Sequence, residues 1–218
     1  MRSYYYMTPT TGKIKIGASQ VPDQTVGSAV NAVEKICFPS VDEAKEIYKT
    51  VKARMTDVNH WSAIAGLPFS AFKLFDYAGR AANRNASEGD FIRIDIPGPG
   101  TKTGHGYDWV IIESLVEETT AKAEVISMRV RPTAHPLGED ECIAHFLKAC
   151  ATSTFQVKRV GNCISAEEHG RNEVANLGTN HLLDNIRNAV VGAGAKIGFS
   201  YPQWKSLVKG LLSKPWVY

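Results

Sequence analysis

Between Phe69 and Gly170 the chain alternates apolar and polar residues, and on either side its apolar residues recur at helical spacing. In Phe91-Ile92-Arg93-Ile94-Asp95-Ile96 the three isoleucines share one face, because successive side chains of a strand point to opposite sides. Ile126, Met128 and Val130 oppose Ser127, Arg129 and Arg131 in the same way. One apolar and one polar face predicts an antiparallel sheet wetted on one side. Strands are predicted over 70–78, 89–96, 106–117, 121–131, 153–160 and 162–169. Glu117-Glu118-Thr119-Thr120 and Gly161-Asn162 are compact turns, so their flanking strands should pair as hairpins.

A first strand is predicted at Val33–Phe38, ended by Pro39. Ser40 then offers a hydroxyl to a free first-turn amide, with Glu43 placed to complete a capping box. Ala44, Ile47, Tyr48, Val51 and Met55 follow on one helical face. Residues 139–150 carry a second helical pattern in Ile143, Phe146, Leu147 and Cys150. After Asn180 two stripes appear, Leu182, Leu183, Ile186 and Val190, then Trp204, Leu207, Val208, Leu211 and Leu212. The glycines at 192, 194 and 198, with Pro202 beyond, should break or bend the helix between them. Residues 1–29, rich in Thr, Gly, Ser, Gln and Pro, are expected to form a loosely ordered arm with a short strand at Lys13–Ile16. Residues 30–218 are then one α+β domain.

This order of elements resembles the START-like helix-grip superfamily (SRPBCC). The stretch Ile36-Cys37-Phe38-Pro39-Ser40-Val41-Asp42-Glu43-Ala44-Lys45-Glu46-Ile47-Tyr48, followed by Asp57 and Trp61, is similar to the usual opening of that group. The resemblance implies a curved antiparallel sheet of about seven strands packed on a C-terminal helix, with a cavity between them. The helical pattern at 139–150 and the broken C-terminal helix depart from that scheme.

Composition adds limits. The formal charge is only +3, from 25 basic and 22 acidic residues, which argues against nucleic acid as a partner. No window approaches the length of apolar chain needed to span a membrane. The four cysteines, Cys37, Cys142, Cys150 and Cys163, form no close pair, so neither a disulfide framework nor a cofactor is expected. The opening residues have no signal-peptide h-region, and the protein is placed in the cytoplasm. Cys142-x-x-His145 with Cys150 lacks the second close pair of a structural zinc site, so no metal is expected.

The densest polar cluster is His169-Gly170-Arg171-Asn172-Glu173 at a strand end. It offers a base, a planar cation and a carboxylate, which could orient a polar ligand or simply close a turn. The glycine-rich loop from Gly98 to Gly106 lacks the spacing of a phosphate loop, and a strand rather than a helix follows it. It reads as a hairpin connection or a flap at a cavity rim, with His105 and Tyr107 beside it. Arg129 and Arg131 share a strand face, as do Arg93 and Asp95. A solvated face with cross-strand ion pairs is the simpler reading of both. No Gly-x-Ser-x-Gly elbow or other nucleophile signature occurs.

The function expected first is binding of an apolar or amphipathic small molecule between sheet and C-terminal helix. Ile186 would form a wall, and His169, Arg171, Glu173, Tyr107 and His105 would be candidate polar contacts. An enzyme on the same scaffold, a lyase, cyclase or hydrolase, is the second reading. It needs a titratable group such as these or Asp95 inside the cavity. The third is a structural or interaction domain with a filled interior, self-association as a homodimer included, which would use the C-terminal stripes if the sheet leaves them uncovered.

Overall fold

A computed structural model describes residues 16–66, 70–96, 101–138, 141–177, 188 and 200–214. Its strands are β1 (Ser28–Cys37), β2 (Ala71–Phe75), β3 (Phe91–Asp95), β4 (Asp108–Thr119), β5 (Ala123–Pro132), β6 (Thr152–Val160) and β7 (Cys163–Glu173). They form one antiparallel sheet of seven strands in the order β1-β7-β6-β5-β4-β3-β2. The first two strands therefore lie at opposite edges. Between them the chain runs through α1 (Val41–Thr56), a 3-10 turn at Val58–His60 and α2 (Trp61–Ala65). The remaining strands follow as a meander, and α3 (Ser200–Leu211) packs on the inner face. This is the helix-grip architecture expected from the element order.

The inner face is the apolar one. Ile92, Ile94, Val110, Ile112, Met128, Val130, Phe155, Val157, Ile164 and Ala166 bury there against Tyr48, Val51 and Met55 of α1 and Leu207, Val208 and Leu211 of α3. Ser40 caps α1 as predicted, its Oγ accepting from Glu43 N at 3.1 Å. Pro202 does not break α3. It occupies the first turn, where the missing N–H costs no intrahelical bond. Further along, Gly210 lets α3 approach α2 closely: a Cβ there would come within 2.0 Å of Ile64 O. Arg54 donates to Leu211 O and Ser213 O at 3.2 and 2.7 Å, covering carbonyls at the helix C-terminus that lack intrahelical partners. The second C-terminal stripe is thus covered by the core. The first, Leu182, Leu183, Ile186 and Val190, lies outside the described residues.

Four features depart from the sequence reading. β1 starts at Ser28, because an edge strand with polar residues on both faces carries little alternation to read. Residues 141–150 are irregular rather than helical. Their backbone bonds go sideways, Ala144 N to Thr133 O, Lys148 N to Val174 O and Trp109 N to Ala144 O, with Leu147 bridging Ala175. Local periodicity loses there to pairing with the ends of distant strands. Residues 16–27 lie along the outer face, where Ile16 packs on Ala123 and Val125 and Gln156 Nε2 donates to Gly17 O at 2.7 Å. Residues 13–15 of the expected short strand lie outside the described residues.

The fourth departure is a disulfide. Cys37 and Cys163 are direct cross-strand partners at the ends of β1 and β7, and their sulfurs are bonded. A separation of 126 residues hides this pairing in the sequence. Such bonds persist in oxidising compartments, which removes one ground for the cytoplasmic placement. Among the described residues no helix is long and apolar enough to cross a membrane.

Two measurements check this description. Ile94→Asp places a carboxylate in the apolar inner face and should cost at least about 3 kcal/mol of unfolding free energy by urea titration. Near-wild-type stability would contradict the assigned face. Reduction of Cys37–Cys163 should lower the unfolding free energy, by up to about 5 kcal/mol for a loop of this length. Cys37→Ser should show the same loss and no further response to reductant.

Candidate functional site

A cavity of about 370 Å³ lies between β2–β7 and α3. Ligand cavities start at about 300 Å³, so the space suits a small organic molecule. Its walls are mainly apolar. Ile92 and Ile94 of β3, Ile96 just beyond it, Val110 of β4 and Val130 and Pro132 of β5 form one side. Phe72, Trp61, Phe155 and Trp204 form an aromatic quartet at the other. Trp61 stands 5.4 Å from Phe72 and 4.7 Å from Phe155, and Trp204 stands 5.3 Å from Phe155, centroid to centroid. Trp61 is locked by its indole N–H, which donates to Met55 O at 3.0 Å. A rigid aromatic wall of this kind keeps the space from collapsing.

Polar groups gather at two ends. At the β2 edge, Ser70 Oγ donates to Gln203 Oε1 at 3.1 Å, so that end is internally satisfied. On the β7–β6 side the lining holds Thr152, Ser153 and Glu173, together with His145 of the irregular 141–150 segment. Here satisfaction is incomplete. Both carboxyl oxygens of the fully buried Glu168, on the inner face beside this end, have no hydrogen-bond partner. Burial pushes the Glu168 carboxyl well above the ordinary range, and the Glu173 carboxyl adds to the rise. Ser153 and Arg171 pull it back only in part. Ser153 is close enough to favour the ionised form yet makes no hydrogen bond of ordinary geometry to it. Burial likewise raises the Glu173 carboxyl, against smaller opposing effects of Ser28 and Arg171.

Glu173 reaches this corner through an irregularity in β7. His169 and Arg171 belong to the outer face by alternation, and Glu173 would follow them there. Instead β7 carries one residue more than β1 between the pairs Val30↔Gly170 and Ser28↔Glu173, which makes a bulge. Within it Asn172 adopts a left-handed backbone, φ 55°. The bulge reverses the alternation. The Glu173 carboxyl then lies over Gly170, where a Cβ would meet its Oε1 at 2.5 Å. Asn172 is held by the N-terminal segment. Its Oδ1 accepts from Thr25 N at 2.7 Å and Val26 N at 3.1 Å, and its Nδ2 donates to Asp23 O at 3.1 Å.

Of the candidate ligand contacts, Glu173 lines the described cavity, and His145, considered above only as a metal ligand, lines it too. The His169 ring nitrogens lie 2.7 and 3.0 Å from Asn31 Oδ1 and Glu167 Oε2, on the outer face. Arg171 donates to Val30 O, Gly170 O and Asn31 Oδ1. Tyr107 stacks under the Arg93 guanidinium at 4.1 Å, and His105 stacks on His135 at 4.6 Å. These contacts also lie outside the cavity lining. Asp95 is exposed at the end of β3. Ile186 lies outside the described residues. Arg129 and Arg131 both pair with Glu113, the outer-face arrangement expected of them. Cys150 Sγ points to Asn172 O at 3.5 Å, and among the described residues no three His, Cys, Asp or Glu side chains group to hold a metal. The sequence reading missed Glu168, Thr152 and Ser153. The one signal for Glu168 was a carboxylate at an inward position between Ala166 and Gly170 of a strand.

No protein-family model matches the chain, and no curated protein is similar to it. Solved structures similar to it include a hypothetical protein of Helicobacter pylori, at 9% identity over 83% of this chain and 86% of that one, with a TM-score of 0.43. Norcoclaurine synthase from Thalictrum flavum is 10% identical over 98% and 100% of the two chains, with a TM-score of 0.40. A START superfamily protein from Mycobacterium smegmatis is 11% identical over 85% and 99%, with a TM-score of 0.34. Likeness at this level leaves function to be read from the chain's own cavity.

The titration of Glu168 has a measurable consequence. A carboxyl whose pKa is higher folded than unfolded contributes stability that is complete below its ordinary value of 4.5 and is lost as the pH rises through the folded value. Unfolding free energy should therefore fall as the pH rises above the ordinary carboxyl range, and Glu168→Gln should flatten that fall. An unchanged pH profile in the variant would show that Glu168 is not the buried group described.

Proposed function

We propose that this protein binds an apolar or amphipathic small molecule in the cavity between the sheet and α3. The observation that carries the reading is the cavity itself: about 370 Å³, apolar on most sides, propped open by four aromatic rings and polar at one corner. A domain with a filled interior, as the interaction reading requires, would not leave this space among its core residues. The apolar walls supply affinity by removing a ligand's surface from water, and the few polar groups set its orientation.

An apolar fluorescent probe such as N-phenyl-1-naphthylamine should bind the native protein saturably at one site. Ile96→Trp, which fills the lining just beyond β3, should weaken that binding about 10-fold or more while the fold persists. Val58→Ala, a change in the buried core away from the cavity, should lower stability and leave the probe's affinity as it was. Binding that appears only on partial unfolding would overturn the proposal.

A further inference from the structure

The polar corner of the cavity narrows the chemistry of what it holds. Glu173 lines it, and Glu168 lies behind on the same inner face, one inward position before Gly170. Ser153 is the cross-strand partner of Gly170 and shares its inward face. Both Glu168 oxygens are buried and unpartnered, which is rare enough in a folded interior to require an explanation. The neighbouring cation does not supply it, since the Arg171 guanidinium donates to Val30 O, Gly170 O and Asn31 Oδ1 on the outer side. Among the described residues no lysine or arginine pairs with either carboxyl. Among the described residues this corner therefore holds the Glu173 carboxyl, the Ser153 hydroxyl and the His145 ring, with the Glu168 carboxyl behind them and no lysine or arginine side chain in the lining.

We infer that the ligand carries a protonated amine, which sits in this corner against Glu173 with Glu168 behind it and the hydroxyl of Ser153 beside it. The inference rests on the cavity-binding reading above and specifies its substrate class: an amphipathic amine with an apolar, ring-sized body. An ammonium group brings several N–H donors and the missing positive charge into one place. Charge-assisted bonds to a carboxylate are the strong kind, and strongest where water is excluded. A neutral apolar ligand would leave the Glu168 carboxyl without a partner. An anionic one would meet two carboxyl groups at close range.

Three isosteric probes separate the possibilities: 2-naphthylmethylamine, 2-naphthylmethanol and 2-naphthoate, each competed against the fluorescent probe at neutral pH and fixed salt. The amine should bind about 10-fold or more tightly than the alcohol, and the carboxylate most weakly. In Glu173→Gln the ratio of amine to alcohol affinity should fall toward one. Glu168→Gln should move it in the same direction, and the thermal melts of both variants show whether each is folded. Equal binding of amine and alcohol to the wild type overturns the amine inference and leaves the cavity reading standing. So does an amine preference that survives both substitutions. If none of the three displaces the probe, and the probe itself ignores Ile96→Trp, both readings fall.

Discussion

The structure depends on how one apolar sheet face is covered. Among the described residues the inner face of seven strands packs on α1, α2 and α3 and still lines a cavity. At one end α3 is drawn tight, because Gly210 removes the side chain that would strike Ile64 O and Arg54 holds the helix terminus. At the other end Trp204 stands between helix and sheet and meets Phe155 and Phe72. The helix cannot close on the sheet there without displacing rings locked by their own contacts. Close-packed interiors resist such displacement, so the uncovered part of the face remains as a cavity.

A single extra residue in β7 then decides what the cavity contains. Without the bulge, Glu173 would join His169 and Arg171 on the outer face, and the inner corner would hold Glu168 without an acidic neighbour. The left-handed Asn172 that permits the bulge is fixed by hydrogen bonds from residues 23–26. A segment of the chain far from the cavity in sequence thereby sets the chemistry of its corner.

Glu167 and Glu168 show how completely the face decides a side chain's behaviour. Glu167 is also substantially buried, which alone would raise its pKa. Hydrogen bonds from His169, Lys158 and Ser165 outweigh that and hold it at about 2. Its neighbour, one residue on and one face over, has no hydrogen-bond partner and is pushed the other way. The outer face is a network of satisfied ion pairs. The inner corner is a set of unsatisfied acceptors, which is stable only because the surrounding core holds it.

The sequence by itself determined the fold class, the strands of the meander, the capped helix α1 and the inward face of β3. Each rests on a periodicity of a few residues and needs nothing distant to express it. It did not reveal the Cys37–Cys163 bond, the irregular path of 141–150 or the inward turn of Glu173. These depend on which strands become neighbours: β1 beside β7, and residues 143–148 beside the ends of β5 and β7. His169, Arg171 and Glu173 look like one cluster because they alternate along a single strand. Only the tertiary structure divides them, since a bulge reverses side-chain direction without leaving any mark in the spacing of the residues around it.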